Sequence, residues 1–192
     1  MKGELGYELY IPTEQAMHVY EEIVRTNEEN NFGMVHTGLR ALGSLRMEKM
    51  YRDYGHDLDN TDNILEAGLG FTCDFEKEGG FIGKDAVLLE KKNPLSARRR
   101  LVQVLVKDPL PLLYHGEVLW RNGEIMGNIR SSSYGFCLGG SVGIAMVDAG
   151  DQLVKKSFLE SGTWEIEIGA QKYPCIVSLR TLFDPSNNKI KN

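Results

Sequence analysis

The chain is short of long apolar runs, cysteine and histidine, and each shortage excludes something. Its longest apolar stretches are a few residues, well under the roughly 20 that a membrane-spanning helix needs, so no membrane partner is expected. Three cysteines (Cys73, Cys137 and Cys175), odd in number and far apart, do not make a disulfide framework, and they predict reduced thiols in an intracellular compartment. The four histidines, His18, His36, His56 and His115, have no neighbours at metal-ligand spacing, and there is no Cys-x-x-Cys pair, which argues against zinc. Neither G-x-G-x-x-G nor G-x-x-x-x-G-K-[ST] occurs, so no dinucleotide or phosphate-loop site is predicted. The nucleophile turn Gly-x-Ser-x-Gly is missing as well. Met1-Lys2-Gly3-Glu4 leads into strand-like sequence without an apolar h-region, so no targeting segment is expected in this chain.

What remains is an ordinary globular composition. With 192 residues, 42% of them apolar and 26% charged, the chain can build one large core or two small ones. Lys and Arg number 22 against 27 Asp and Glu, a net charge of −5 that speaks against a nucleic-acid partner. The charge is unevenly distributed: residues 1–92 hold 10 basic and 18 acidic side chains, whereas residues 93–192 hold 12 and 9. The sign changes at Lys92-Asn93-Pro94-Leu95-Ser96, a polar stretch with a proline, of the kind that joins domains.

The pattern predicts an α+β chain. In the first unit, Leu5 to Ile11 alternates and stops at Pro12, which reads as a strand. With Thr13 as N-cap, Glu14 to Glu28 places Met17, Tyr20, Ile23 and Val24 on one stripe of an amphipathic helix. A second helix is predicted over Thr37 to Met50, an irregular stretch over Tyr51 to Asp57, and a short helix over Asp85 to Lys91. The second unit reads as all-β. Leu101 to Lys107, Ser141 to Val147, Trp164 to Ile168 and Tyr173 to Leu179 are predicted strands, and Val118 to Met126 is a hairpin turning at Asn122-Gly123. Short strands at close spacing suggest a small antiparallel barrel or sandwich.

Two clusters carry chemistry. In Gly3-Glu4-Leu5-Gly6-Tyr7-Glu8, glycines flank acids, so a ligand could approach the backbone with a carboxylate directed at it; a solvated edge strand fits the same residues. Leu45-Arg46-Met47-Glu48 followed by Tyr51-Arg52-Asp53-Tyr54-Gly55-His56-Asp57 puts aromatics beside Arg and Asp after a helix, which suits a flat polar heterocycle and equally a solvated helix end. Arg46 and Glu48 are two apart and cannot pair on a helix. Arg98-Arg99-Arg100 could hold an anion but reads more simply as a solvated linker or the start of a strand.

Gly3 to Leu9, Ser44-Leu45-Arg46-Met47-Glu48-Lys49, Leu65-Glu66-Ala67-Gly68-Leu69 and Phe81 to Ala86 occur in an order and spacing that resemble the glycine-cleavage T-protein (aminomethyltransferase) family. Leu65 to Cys73, Arg98 to Val102, Leu119 to Gly123 and Phe183-Asp184-Pro185 are most similar to its sarcosine and dimethylglycine dehydrogenase branch; the regulatory subunit of pyruvate dehydrogenase phosphatase is similar over the same stretch. The resemblance implies the C-terminal half of a folate-binding fold over residues 1–93, followed by a small antiparallel β-barrel domain over residues 98–187. It further implies tetrahydrofolate as the small-molecule partner, collecting a one-carbon unit released by amine oxidation, and FAD in an N-terminal flavin domain outside this chain. Glu8 matches the family glutamate that grips the pterin, and a carboxylate can accept two parallel hydrogen bonds from such a ring edge. Tyr54 aligns with the aromatic of the family's Tyr-Gly-x-Asp stretch and Tyr51 lies near it, so both are expected in the pocket wall. Arg46 and Glu48 are expected to be scaffold. Leu42 stands where T-proteins carry a folate-holding arginine, as in the dehydrogenase branch. The family pattern continues upstream with its catalytic aspartate, so the chain is expected to be a fragment without methylene-transfer activity of its own. Core surface exposed by such truncation is expected to drive dimerisation or aggregation. The implied compartment is the mitochondrial matrix in a eukaryote and the cytoplasm otherwise. The alternative is a non-enzymatic regulatory subunit.

Overall fold

The computed structural model describes Gly3 and residues 5–191. Two helices lead: α1 (Thr13–Asn30) and α2 (Leu39–Glu48). A long connection reaches α3 (Lys84–Lys92), and then come β1 (Arg99–Val106), β2 (Val118–Arg121), β3 (Glu124–Gly135), β4 (Gly140–Asp148), α4 (Lys156–Glu160), β5 (Trp164–Ile168), β6 (Gln171–Ser178) and α5 (Asn188–Lys191). The six strands close into an antiparallel barrel in the order β1-β4-β3-β2-β5-β6, which removes every unpaired sheet edge.

Local chemistry explains the hairpin. Asn122 and Gly123 both hold positive φ, 51° and 84°, the requirement of the type I′ turn between β2 and β3. A register shift between Leu119 and Trp120 marks a bulge, with Gly127 opposite Leu119. Gly127 has φ 155°, and a Cβ there would collide with the Met146 carbonyl oxygen on β4, so the close strand approach depends on glycine.

Each strand sorts its side chains by face. Val102 and Val104 of β1, Leu119, Ile129, Ala145, Val147 and Ile166 fill the barrel, and Phe158, Leu159 and Trp164 close one end. The opposite face of β1 and β4 is also covered: Leu101, Val142, Ile144 and Met146 pack on Met47 and Met50 at the end of α2. Burial on both faces explains why β4 is an unbroken apolar run instead of an alternating one. Gln103 faces α2 and is buried because it is fully used. Its Nε2 donates to the carbonyls of Met47 (2.7 Å) and Glu48 (3.1 Å), and its Oε1 accepts from Leu182 N–H (2.6 Å).

Two expectations need correction. Leu5 to Ile11 is not a strand: no described strand pairs with it, its backbone therefore has no ladder, and Leu5, Tyr7 and Leu9 are exposed. Thr13 is the first residue of α1 and Pro12 occupies the N-cap, without a side-chain capping bond. The stripe Met17, Tyr20 and Ile23 lies on α1 as expected, yet α1 buries none of its residues. Arg99 and Arg100 open β1, in keeping with the strand-entry reading of the basic run, and are half-buried and hydrogen-bonded.

Candidate functional site

α2 is seated before the loop that follows it is shaped. Ser44 Oγ donates to the Tyr134 carbonyl (2.6 Å), and the buried Glu48 accepts at Oε1 from the N–H groups of Cys137 (2.7 Å) and Leu138 (3.1 Å) at the β3–β4 turn. A carboxylate accepting two backbone N–H groups is well compensated for burial. Gly135 leaves room for it, since a Cβ there would lie 3.1 Å from Glu48 Oε1. At the end of α2 the Glu48 carbonyl is taken by Gln103 and by Thr181 Oγ1 (2.8 Å), and the Met47 carbonyl accepts from Gln103 in addition to the Met50 N–H (3.0 Å).

The chain then turns at Met50, in the left-handed region at φ 55°, into Tyr51–Asp57. This loop is clasped from inside. Asp57 is fully buried, pairs with Arg46 Nη1 and accepts from the Asp53 N–H (2.8 Å). Arg46 Nη1 also donates to the Tyr51 carbonyl (2.8 Å). Arg46 therefore belongs to the scaffold, as does Glu48. The clasp fixes the loop at both ends and leaves Tyr51 half-buried and Tyr54 exposed.

Glu8 lies elsewhere, on the segment without regular structure. It is exposed and accepts at Oε2 from Tyr10 Oη (3.3 Å). Among the described residues it makes no hydrogen bond to Tyr51 or Tyr54, so the structure brings the two tyrosines onto one loop but does not join Glu8 to them. Glu4 lies outside the described residues. No group of three His, Cys, Asp or Glu suited to a metal occurs among the described residues, and no helix there is long and apolar enough to cross a membrane.

A second polar cluster lies where the 59–68 connection meets the barrel, and its members Asp62 and Arg130 were not singled out from the sequence. Asp62, its side chain 1% exposed, takes Arg130 Nη2 (3.2 Å) and Arg99 Nη2 (3.4 Å), and Glu66 takes Arg99 Nη1 (3.2 Å). Beside it Arg52 donates to the Ala67 and Met50 carbonyls and Arg100 to the Leu65 carbonyl. Burial, aided by the charge of Arg100, holds Arg52 below the ordinary guanidinium pKa, and burial does the same to Arg100. The only sequence signal for this cluster is the basic run entering β1.

Residues 2–77 match the GCVT N-terminal domain, and residues 99–184 match the glycine cleavage T-protein C-terminal barrel domain. The chain belongs to the glycine cleavage T-protein family. It is 38% identical over 98% of its length to a 4-methylaminobutanoate oxidase (formaldehyde-forming) of Paenarthrobacter nicotinovorans, 22% of which is covered. It is 34% identical over 98% of its length to the mitochondrial sarcosine dehydrogenase of Homo sapiens, with 20% covered, and 35% identical over 89% to the mitochondrial pyruvate dehydrogenase phosphatase regulatory subunit of Mus musculus, again with 20% covered. The chain thus spans about a fifth of the length of these relatives. The fold is that of the glycine cleavage system aminomethyltransferase T of Bartonella henselae, with a TM-score of 0.61 over 84% of this chain and 43% of the other, at 23% identity. A GCVT N-terminal domain followed by an antiparallel barrel, the α+β architecture expected from the motifs, is therefore the fold of this family member.

Proposed function

We propose that this chain is the tetrahydrofolate-binding portion of a sarcosine-dehydrogenase-like flavoenzyme, one that oxidatively demethylates a secondary amine and passes the one-carbon unit to folate. The observation that carries the reading is identity of 34% across 98% of the chain to a sarcosine dehydrogenase. In this reading Glu8 grips the pterin edge, and Tyr51 and Tyr54 form part of the pocket wall. The loop geometry suits that role, because a buried Asp57–Arg46 clasp holds the backbone while two aromatic side chains remain available. FAD would be bound by a flavin domain outside this chain, and the residues present offer no fingerprint for it. For a eukaryotic source the same likeness supports the mitochondrial matrix, and otherwise the setting is the cytoplasm.

Calorimetric titration of tetrahydrofolate into the chain and its Glu8→Ala variant tests the reading. Losing a carboxylate that takes two hydrogen bonds is expected to weaken binding by about tenfold or more. Equal affinity for both forms removes Glu8 from the site, and no binding to either removes folate. The second reading, a regulatory subunit without amine oxidation, is favoured by the 35% identity to the phosphatase regulatory subunit. Folate-dependent amine turnover in a protein carrying this chain together with a flavin domain decides between them.

A further inference from the structure

Most charged side chains that the fold takes out of water are neutralised by a partner. Arg46 has Asp57, Arg99 and Arg130 share Asp62, Arg99 adds Glu66, and Lys49 has Asp184. Arg52 and Arg100 are exceptions. Neither makes an ion pair; each is anchored only by carbonyl oxygens, at 3.0 and 3.1 Å for Arg52 and 2.6 Å for Arg100. Asp62 and Glu66 are held by Arg99 and Arg130, and Asp57, which attracts Arg52, is bonded to Arg46 through Oδ2 while its Oδ1 is buried without a hydrogen-bond partner. Arg100 Nε is buried with no hydrogen-bond partner.

The two guanidinium groups converge on one residue. Gly68 has φ +71°, and the Cβ it lacks would lie 3.1 Å from Arg52 Nη2 and 3.3 Å from Arg100 Nη2. Two like charges thus approach the same glycine closely, and both Nη2 groups are without a protein acceptor among the described residues. All three residues retain partial exposure, so the space between them is reachable from solvent.

We propose that Arg52, Arg100 and the bare face of Gly68 form a binding site for a dianionic phosphate group. Two uncompensated positive charges are balanced by one doubly charged anion. A tetrahedral phosphate also has oxygens enough to accept from both Nη2 groups at once. Glycine at position 68 gives the anion its place; any side chain there would occupy it and strain the backbone. The site shares no residue with Glu8, Tyr51 or Tyr54, although Arg52 lies on the loop that carries both tyrosines.

The test uses the unaltered chain first. Phenylglyoxal modifies exposed guanidinium groups, and peptide mapping by mass spectrometry reports each arginine separately. Inorganic phosphate at pH 8 is expected to slow modification of Arg52 and Arg100 by about tenfold relative to the exposed Arg40 and Arg180. Sodium chloride at matched ionic strength should not. Methyl phosphate run in parallel separates a free phosphate site from one that takes a phosphomonoester, because only the second protects with both ligands. Calorimetry of phosphate with Arg52→Met and Arg100→Met should show about a tenfold loss of affinity in each. Equal modification with and without phosphate, or protection that chloride reproduces, overturns the proposal even if either variant fails to fold.

Discussion

Cys175 shows how one side chain ties the barrel to pH. It sits in the core on β6, 6% exposed, and burial pushes its thiol from the ordinary 9.0 up to about 12. The folded state therefore holds the proton between those values while the unfolded state releases it. Bound protons favour the state that keeps them only at lower pH, so stability is lost as pH rises above 9, by about 1.4 kcal/mol for each pH unit until the folded thiol itself ionises. Denaturant midpoints measured between pH 8 and 10 should fall more steeply for the wild type than for Cys175→Ala, which has no proton to release. Parallel slopes would mean that the thiol is not the group responsible. Burial of this kind was invisible in the sequence, where Cys175 was one of three scattered cysteines. The acidic and basic residues of the ion pairs were equally silent. Asp57 follows Arg46 by 11 residues, and Arg130 follows Asp62 by 68, distances at which no local pattern speaks. The tyrosines and Glu8 lay in clusters that residue types marked, and motif order assigned them their roles.

Elements were legible where their cause was local. The hairpin at Asn122-Gly123 follows from two residues that accept positive φ, and β5 spans the predicted Trp164–Ile168 because one face alternates Trp and Ile with Glu. Leu5 to Ile11 failed for the complementary reason: alternation specifies a strand only if a neighbour completes the ladder, and the neighbour is a property of the whole fold. The junction of α2 with its loop was half legible, since an irregular stretch was expected but the internal clasp was not. Asp57→Asn isolates that clasp. It keeps the volume and removes the charge that Arg46 and the Asp53 N–H address, so unfolding free energy should drop by about 3 kcal/mol. Amide exchange should rise first at Asp53 and Tyr51 rather than in β4, because the barrel core does not use Asp57. Uniform loosening of the barrel would show that the loop is not a separate unit.

The two halves of the molecule differ most in what they leave uncovered. The barrel is packed inside and on its α2 face, whereas the N-terminal segment and α1 expose Tyr7 at 81%, Tyr10 at 90%, Met17 at 67% and Phe32 at 72%. Val19, Ile23, Phe32 and Met34 line a shallow groove of about 410 Å³ along α1. Exposed apolar side chains and a groove of this sort associate with a second copy when nothing else covers them, because each encounter removes area from water at about 25 cal/mol per Å². Sedimentation velocity in the micromolar range should accordingly give a weight-average mass that climbs with concentration, and raising the salt should not reverse it, since screening weakens charges and not apolar contact. The double substitution Met17→Lys with Ile23→Lys places two charges on that stripe. As α1 buries no residue, it should change stability by no more than about 0.5 kcal/mol while holding the chain monomeric. A wild-type chain that stays monomeric throughout, or a double variant that associates equally well, would show that the α1 face is not the surface through which copies meet.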